Sequence, residues 1–336
     1  MSEGLRDQRD RPLRDLRISV TDRCNFRCRY CMPIEVFGAD YSFLPREEIL
    51  RFGEIERITQ YFVNLGVSKI RLTGGEPLLR RDLTDLVARL AEIDGVDDIA
   101  MTTNAALLAK HAKSLKEAGL HRVTVSLDAL DSAVFGQMNG VGASSEKVVA
   151  GIDAALSAGL GVKVNAVIKR GVNDGEVKAL AEFARERAIS VRFIEYMDTG
   201  NVNGWNLDEV VPSQELLQTL QKDIPLEISD RVAGETAQRY VVKGEKGFEV
   251  GFISSVTQPF CNACNRARLS ADGKIFTCLF AAKGMDIKEF IRGEVSDAEI
   301  ETLIRKVWIN RTDNYSELRS SLTENLPKAE MSYLGG

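Results

Sequence analysis

Short β-branched runs alternate with longer helical patterns from Leu13 onward, and this alternation limits the folds open to the chain. Six runs are predicted to be strands, at residues 15–20, 69–73, 98–103, 122–127, 162–168 and 190–196. Repeated strand–helix units indicate a parallel sheet, so we predict an α/β fold with an incomplete (β/α)6 barrel of the TIM type. Such barrels carry their chemistry at the C-terminal ends of the strands, which makes the residues just after each strand candidate site residues.

The pattern changes after about Asp198, where a loose stretch bearing Asn and Gly leads into alternating segments near 239–255 and 267–276. The turn Ala-Asp-Gly-Lys between two alternating runs is a hairpin signal, which predicts a smaller, hairpin-rich C-terminal domain. The chain of 336 residues is also longer than one core usually fills. We predict a flexible, solvated tail at 1–13, a partial barrel at 14–230 and a C-terminal domain at 231–336.

The charge balance restricts the partners of the chain. A net charge of −5, from 44 Lys and Arg against 49 Asp and Glu, is unsuited to gripping long DNA or RNA. No apolar stretch approaches the roughly eighteen residues of a membrane span, and the opening residues are charged where a signal peptide is hydrophobic. We expect a cytoplasmic protein that binds neither membrane nor nucleic acid polymer. In that reducing compartment, six Cys beside two His are expected to be ligands or redox groups rather than disulfides.

Three of the cysteines, Cys24, Cys28 and Cys31, form a C-x3-C-x2-C run just after the first predicted strand. Three thiolates within eight residues can hold three corners of a 4Fe-4S cluster and leave the fourth iron open to a small chelating molecule. The alternative is a structural zinc site completed by a distant fourth residue, although zinc spacing usually shows two Cys pairs or a nearby His. The run therefore predicts an iron–sulfur cluster with an open iron.

The other three cysteines, Cys261, Cys264 and Cys278, form C-x2-C-x13-C without a His in reach. A zinc ion there would have to recruit a fourth ligand such as Asp272, so a second 4Fe-4S cluster with an open iron accounts better for the pattern. Its open iron could bind substrate directly.

The periodicity of the predicted strands places several basic residues on shared faces. Residues two apart on a strand point the same way, so Cys264, Arg266 and Arg268 share one face, and Lys69 and Arg71 share another. Further basic residues lie on three other predicted strands: Arg17, Lys163 and Arg192. Guanidinium groups bind phosphate or carboxylate bidentately, which predicts an interior pocket for a polyanionic substrate beside the second triplet.

The sequence CNFRCRYC at 24–31, followed by TGGEP at 73–77, resembles the radical S-adenosylmethionine (radical SAM) superfamily. The resemblance implies that the open iron of the first cluster chelates SAM and that one electron from the cluster releases a 5′-deoxyadenosyl radical. It implies that Tyr30 lies against the SAM adenine, that Gly75 binds the methionyl amino group, and that Ser126 and Met197 complete the SAM site. The alternative roles are loop packing for Tyr30 and core filling for Met197.

The joint pattern of both triplets, Arg-Ala-Arg at 266–268 and a terminal Gly-Gly resembles the radical SAM enzymes of molybdenum cofactor biosynthesis, from about Leu13 to the C-terminus. The resemblance implies conversion of GTP to (8S)-3′,8-cyclo-7,8-dihydroguanosine 5′-triphosphate after removal of the C3′ hydrogen, with guanine bound at the second cluster. It places these residues against GTP: Arg17, Lys69, Arg71, Thr102, Lys163, Arg192, Arg266, Ala267 and Arg268. It also implies that Gly335 and Gly336 enter the active site and act in the radical step, whereas a glycine tail more often marks a frayed terminus.

The resemblance further implies a one-electron donor such as flavodoxin or ferredoxin, a downstream cyclic pyranopterin monophosphate synthase, and a homodimer. One departure is visible, because Ala105 stands where the family commonly has Gly, which argues against a turn with positive φ there. Two alternatives remain open. They are another two-cluster radical SAM enzyme, such as a peptide maturase, and a non-enzymatic electron carrier, which would need fully ligated clusters and no SAM pocket.

Overall fold

The computed structural model describes residues 4–230, 234–319 and 326–335. Strands of this part of the chain form one sheet of twelve, in the order β12-β11-β10-β1-β2-β3-β4-β5-β6-β9-β8-β7. The strands are β1 (Asp15–Ser19), β2 (Lys69–Thr73), β3 (Asp98–Thr103), β4 (Arg122–Ser126), β5 (Gly161–Ile168), β6 (Ser190–Glu195), β7 (Leu226–Ile228), β8 (Gln238–Val242), β9 (Glu249–Ile253), β10 (Arg266–Leu269), β11 (Lys274–Phe276) and β12 (Met285–Asp286).

The six predicted strands are present as β1 to β6, and each pairs in parallel with the next. The C-terminal part of the chain extends this sheet at both edges, since β9 pairs in parallel with β6 and β10 pairs in parallel with β1. In the sheet order β9 and β10 are not neighbours, so hydrogen bonds do not close the barrel. The predicted incomplete α/β barrel is confirmed.

The predicted hairpins are also present in the C-terminal part. β8 pairs antiparallel with β7 and β9, and β10 pairs antiparallel with β11 through the turn that contains Asp272 and Gly273. Gly273 has a φ of +89°, which a side chain rarely adopts and which this tight turn requires. The boundary at 230/231 stays a prediction, and β7 and β8, which flank it, pair with each other in the common sheet.

The helices are α1 (Phe52–Asn64), α2 (Leu83–Ala91), α3 (Leu108–Glu117), α4 (Ser132–Asn139), α5 (Ser145–Ser157), α6 (Val177–Glu186), α7 (Ser213–Gln221), α8 (Lys288–Arg292), α9 (Asp297–Ile309), α10 (Tyr315–Leu318) and α11 (Met331–Leu334). Helices α1 to α9 contribute buried apolar residues to the core, whereas Ser316 of α10 and Met331 of α11 line a cavity inside the barrel. None of the helices in the described ranges has both the length and the apolar character that a membrane span requires.

Alternation along the strands separates an apolar layer from a polar interior. Leu16 and Ile18 of β1 are fully buried in the core between sheet and helices. Arg17 lies between them and points to the opposite face, toward the inside of the barrel. Because the other central strands repeat this arrangement, the inside of the barrel is lined largely by polar side chains and is available for a ligand.

The N-terminal segment corrects one prediction. Arg6 is bridged to Pro12, Leu13 is fully buried and Arg11 is only 1% exposed, whereas Arg6, Gln8 and Asp10 stay exposed. Asp7 accepts a hydrogen bond from Arg11 Nε at 2.6 Å. The predicted solvated tail over 1–13 is therefore wrong for Asp7, Arg11 and Leu13, because the charges of Asp7 and Arg11 pair with each other and with main-chain groups inside the fold.

The expectation that Ala105 argues against a turn with positive φ is also wrong. It has a φ of +59° and is fully buried, so the turn after β3 forms without Gly. A Cβ at Gly151 of α5 would lie 2.6 Å from the Ala105 carbonyl oxygen and 3.2 Å from its Cβ. Gly151 thus leaves the space in which this turn fits, which is a tertiary effect that overrides local preference.

Candidate active site

One cavity of about 230 Å³ inside the barrel brings together many of the predicted site residues. Its lining includes Arg17, Tyr30, Thr102, Ser126, Met197, Cys261, Cys264, Arg266, Arg268 and Cys278. Ser126 is the last residue of β4, and Met197 follows the end of β6 by two residues. The side chains therefore meet at the C-terminal ends of the strands, as the barrel rule predicts.

The first triplet lies in the loop after β1, and Cys24, Cys28 and Cys31 are all free thiols. The Cys31 amide donates to the Cys28 carbonyl at 2.9 Å, which folds the loop into a turn around the sulfurs. The Phe26 amide, at 3.4 Å, and the Asn104 Nδ2 group, at 3.8 Å, both point at Cys24 Sγ. A set of thiols with N–H groups aimed at a sulfur fits an iron–sulfur cluster.

Burial dominates the acid–base behaviour of these thiols. It raises the pKa of Cys24 to about 11 and those of Cys28 and Cys31 well above the usual range. Because a cluster binds thiolates, loading it must remove protons from these sulfurs.

The TGGEP segment after β2 packs backbone to backbone against the loop of the first triplet. A Cβ at Gly75 would lie 2.3 Å from the Arg23 carbonyl oxygen and 3.0 Å from the Cys24 amide nitrogen. The amides of Gly75 and Glu76 donate to the carbonyls of Thr21 and Arg23, both at 2.8 Å. Glycine at 75 is therefore required for this contact, which positions the triplet relative to β2.

Sequence reasoning missed Asp128, which follows the end of β4 by two residues and lines the cavity. Its carboxylate accepts hydrogen bonds from the Tyr30 hydroxyl at 2.8 Å and from the Val167 amide at 2.9 Å. Burial raises the pKa of Asp128 to about 6. The rule that barrel chemistry sits at strand ends was the signal that could have identified it.

The bond to Asp128 predicts a graded effect at Tyr30. Changing Tyr30→Phe keeps the ring but removes its anchor, so we expect SAM binding to weaken about fivefold, the worth of one hydrogen bond. Tyr30→Ala also removes the ring, and we expect a loss of at least roughly tenfold. Equilibrium dialysis of reconstituted protein measures both, with Tyr240→Phe in the β8 hairpin as the control. Equal losses for Phe and Ala would contradict this role of the hydroxyl.

The second triplet borders the same cavity from the C-terminal part of the chain. Cys261 lies in the 3₁₀ turn Cys261–Ala263, Cys264 ends that turn, and Cys278 follows β11. Arg311, which sequence reasoning also missed, donates from Nη2 to Cys264 Sγ at 3.2 Å. No local pattern marks this arginine, since 46 residues separate it from the cysteine in the chain.

Two thiols of the second triplet differ in the direction of their pKa shifts. Burial acts to raise the pKa of Cys264, but the charges of Arg266 and Arg311 outweigh it and lower this pKa to about 7. Burial, with the Asp313 carboxylate adding to it, raises the pKa of Cys278 to about 12. A thiol beside two guanidiniums is prepared to act as a thiolate ligand, so this triplet also fits a cluster.

The zinc alternative finds no matching group. Asp272, its suggested fourth ligand, is bonded instead to Ser270, Lys274 and Tyr333. Among the described residues, which include all six cysteines, no three His, Cys, Asp or Glu side chains are grouped to hold a single metal ion.

Three arginines surround the second triplet on adjacent strands. Arg17 of β1 stands opposite Arg268 of β10 in the parallel register, and Arg266 lies opposite Asp15. Arg17 Nε is buried without a hydrogen-bond partner. Burial, and then repulsion from Arg266 and Arg71, lowers the pKa of Arg17 to about 9. The group is a concentration of positive charge that an anionic ligand would stabilise.

Further predicted basic residues lie deeper inside the barrel. Arg71 donates to the hydroxyls of Thr102 and Thr124 at 3.2 and 3.0 Å, and its Nε is buried without a partner. Burial, followed by repulsion from Arg192 and Arg122, lowers the pKa of Lys163 to about 8.

Two of the predicted GTP contacts are placed less directly. Lys69 is the exposed first residue of β2, at the opposite end of the strand from the triplet. Ala267 is buried on the core side of β10, opposite Leu16 of β1, so it offers its backbone only.

The C-terminus reaches the same region. Arg268 Nη1 donates to the Gly335 carbonyl at 2.5 Å, and a Cβ at Gly335 would lie 2.2 Å from Thr73 Cγ2. The segment before it is held by Lys328 Nζ, which donates to Asp198 Oδ2 at 2.9 Å, and by the Tyr333 hydroxyl, which donates to Asp272 Oδ1 at 2.6 Å. Gly336 lies outside the described residues.

Comparisons with known proteins agree with this geometry. The Radical SAM superfamily model matches residues 18–184, and the Molybdenum Cofactor Synthesis C model matches residues 189–317. A solved structure of Streptococcus suis SuiB bound to S-adenosylmethionine has a TM-score of 0.64, with 17% identity, and covers 93% of this chain and 71% of its own. At that identity the likeness concerns the fold.

Two curated relatives are much more similar in sequence. GTP 3',8-cyclase of Acidothermus cellulolyticus is 50% identical over 363 residues, and GTP 3',8-cyclase of Staphylococcus carnosus is 47% identical over 341 residues. Both alignments cover 100% of this chain and 100% of the relative. The chain therefore belongs to the GTP 3',8-cyclase family, within the radical SAM superfamily.

Proposed function

We propose that this enzyme converts GTP to (8S)-3′,8-cyclo-7,8-dihydroguanosine 5′-triphosphate, the first step of molybdenum cofactor biosynthesis. The observation that carries the proposal is the single cavity that joins predicted SAM residues, the second cysteine triplet and a cluster of arginines. A radical reaction between two bound molecules needs both held in one site that excludes water.

As a member of this family, the chain uses SAM and iron–sulfur clusters as cofactors. We assign the first cluster to Cys24, Cys28 and Cys31, and the second to Cys261, Cys264 and Cys278. When bound, the first cluster and SAM supply the 5′-deoxyadenosyl radical that removes the C3′ hydrogen of GTP. The residues assigned to SAM are Tyr30, Gly75, Ser126 and Met197.

The charge distribution supports a triphosphate as the ligand of the basic residues. Arg17, Arg266 and Arg268 flank the second triplet, where the guanine is proposed to bind, and their guanidiniums suit phosphate oxygens. The other contacts proposed for the substrate are Lys69, Arg71, Thr102, Lys163, Arg192 and the backbone of Ala267. Binding a polyanion relieves the mutual repulsion of these cations, which gives the site its preference for GTP over neutral molecules.

We also assign Gly335 and Gly336 to the radical step. Gly335 is supported by its contacts with Arg268 and Thr73, which bring the end of the chain to the substrate arginines. Gly335 therefore lies next to residues proposed to bind the triphosphate.

The test is the dependence of SAM cleavage on the nucleotide. Anaerobically reconstituted protein with excess reductant is expected to form 5′-deoxyadenosine and the cyclised nucleotide with GTP, and neither with ATP or without nucleotide. When GTP carries deuterium at C3′, we expect the deuterium to be transferred to the 5′-deoxyadenosine. Equal 5′-deoxyadenosine formation with and without GTP would overturn the assignment of GTP as the substrate. Activity on a peptide would support the maturase alternative.

The remaining proposals concern partners. Reductive cleavage of SAM takes one electron, for which flavodoxin or ferredoxin is the proposed donor. Cyclic pyranopterin monophosphate synthase is the proposed consumer of the product, and a homodimer is the proposed assembly. A cytoplasmic location is also proposed, because six cysteines assigned to clusters rather than to disulfides suit a reducing compartment.

A further inference from the structure

A network of four charged residues, three of them buried, connects the N-terminal segment to the second triplet. Asp7, Arg11 and Arg311 are 8%, 1% and 4% exposed, and Asp313 lies beside them. Arg11 Nε donates to Asp7 at 2.6 Å, and Arg11 Nη1 donates to the Cys261 carbonyl at 3.1 Å and the Asp313 carbonyl at 2.8 Å. The segment that the sequence suggested was solvated is thus part of the surroundings of the cysteines.

Every nitrogen of Arg311 is directed to a partner in this network. Nε donates to Asp313 Oδ1 at 3.1 Å, and Nη1 donates to the Cys264 carbonyl at 2.9 Å and lies 3.6 Å from Asp7 Oδ2. Nη2 donates to Cys264 Sγ at 3.2 Å. The guanidinium also lies 4.7 Å from the ring centre of Trp308, which is itself fixed by a bond from its Nε1 to the Arg11 carbonyl at 3.2 Å.

This arrangement separates Arg311 from the arginines proposed to bind substrate. Arg17 keeps a buried nitrogen without a partner, whereas each nitrogen of Arg311 already donates to an oxygen or sulfur of this network. Its fixed charge is directed at a sulfur. Reduction of a cluster adds one negative charge to the iron, sulfide and thiolate unit, so a cation donating to a ligand sulfur favours the reduced state.

We propose that Arg311 is a positioning residue that raises the reduction potential of the second cluster by donating to Cys264 Sγ, with Asp7 and Arg11 holding it in place. The proposal rests on the assignment of the second triplet to a cluster. It adds a function for the N-terminal segment, which fixes the arginine at a set distance from the sulfur.

The test is a potentiometric titration of the reconstituted full chain, followed by EPR. We expect Arg311→Gln to make the midpoint potential of the second cluster more negative and to leave that of the first cluster unchanged. The matched control is Arg305→Gln on α9, where Arg305 is half exposed and paired with Glu301 at 3.6 Å. A wild-type midpoint for the second cluster in Arg311→Gln with full iron content would overturn the proposal, as would an equal shift of both clusters.

A second measurement tests the proposal if Arg311→Gln loses iron. In protein labelled with ¹⁵N-arginine, pulsed EPR is expected to show nitrogen couplings to the second cluster from Arg311 and from the backbone amide of Arg266, which is also bonded to the Cys264 sulfur. The Arg311 coupling is expected to disappear in Arg311→Lys, which keeps the positive charge, and the Arg266 coupling is expected to remain. A spectrum of this variant identical to that of the wild type would overturn the proposal. Iron analysis distinguishes failure of the cluster assignment from failure of the role of Arg311. Four irons in the wild-type protein would refute the assignment of a second cluster. Eight irons, with a midpoint potential that Arg311→Gln leaves unchanged, would refute only the role of Arg311.

Discussion

Gly335→Ala is expected to lower the rate of product formation by at least roughly 100-fold, the usual effect of misplacing a catalytic group by about 1 Å. The φ of +74° disfavours any side chain, and the new Cβ would lie 2.2 Å from Thr73 Cγ2 and 3.1 Å from the Gly74 amide nitrogen. The end of the chain would have to leave its contact with Arg268. Quantified cyclised nucleotide under single-turnover conditions is the measurement, together with iron content and SAM binding, which are expected to stay near wild type.

Gly244→Ala is the matched control for backbone strain. Gly244 has a φ of +87°, but no atom lies within 4 Å of the position of its Cβ. We expect product formation within about twofold of wild type, since this variant shares the conformational cost of about 1 kcal/mol without the clash. Similar activity in both variants would show that Gly335 matters only for folding or not at all.

Arg17→Met is expected to act in opposite directions on the free protein and on its GTP complex. The methionine removes a charge that is repelled by Arg266 and Arg71 and whose Nε has no partner, so we expect the free protein to gain about 1 to 2 kcal/mol of stability. GTP loses a charge-assisted contact, and its affinity is expected to fall roughly 10- to 100-fold. Thermal unfolding with and without GTP, combined with a binding titration, measures both changes.

Arg89→Met controls for the loss of an arginine as such. Arg89 is half exposed and paired with Glu56 at 2.9 Å, so we expect a change in stability within about 0.5 kcal/mol and unchanged GTP affinity. A destabilised Arg17→Met that still binds GTP normally would show that Arg17 supports the fold rather than the substrate.

The strands and the cysteine triplets were predictable because their signals are local. β-branched runs bounded by helical segments marked β1 to β6, and the strand-end rule made the residues after each strand, among them the first triplet, candidate site residues. Parity along a strand likewise predicted that Arg266 and Arg268 share a face with Cys264. These inferences need only the period of the strand and the geometry of a parallel barrel.

The contacts that were missed depend on residues far apart in the chain. Arg11 contacts the carbonyl of Cys261, and a mixed-charge terminus reads as solvated because nothing near it in sequence reveals its partners. Ala105 is a different case. A residue with a side chain disfavours positive φ, but the space left at Gly151 allows Ala105 to adopt it. Spatial neighbours of this kind follow from the assembled fold rather than from any segment.

The open barrel also constrains the order in which the protein can be made. β1 pairs with β10, a strand about 250 residues later, so this edge stays unpaired until almost the whole chain has left the ribosome. The first triplet lies in an early loop, whereas the surroundings of the second need both the N-terminal segment and Arg311, which follows α9. The surroundings proposed for the second cluster are therefore complete only after residue 311 has been synthesised, whereas a much shorter nascent chain already carries the ligands proposed for the first.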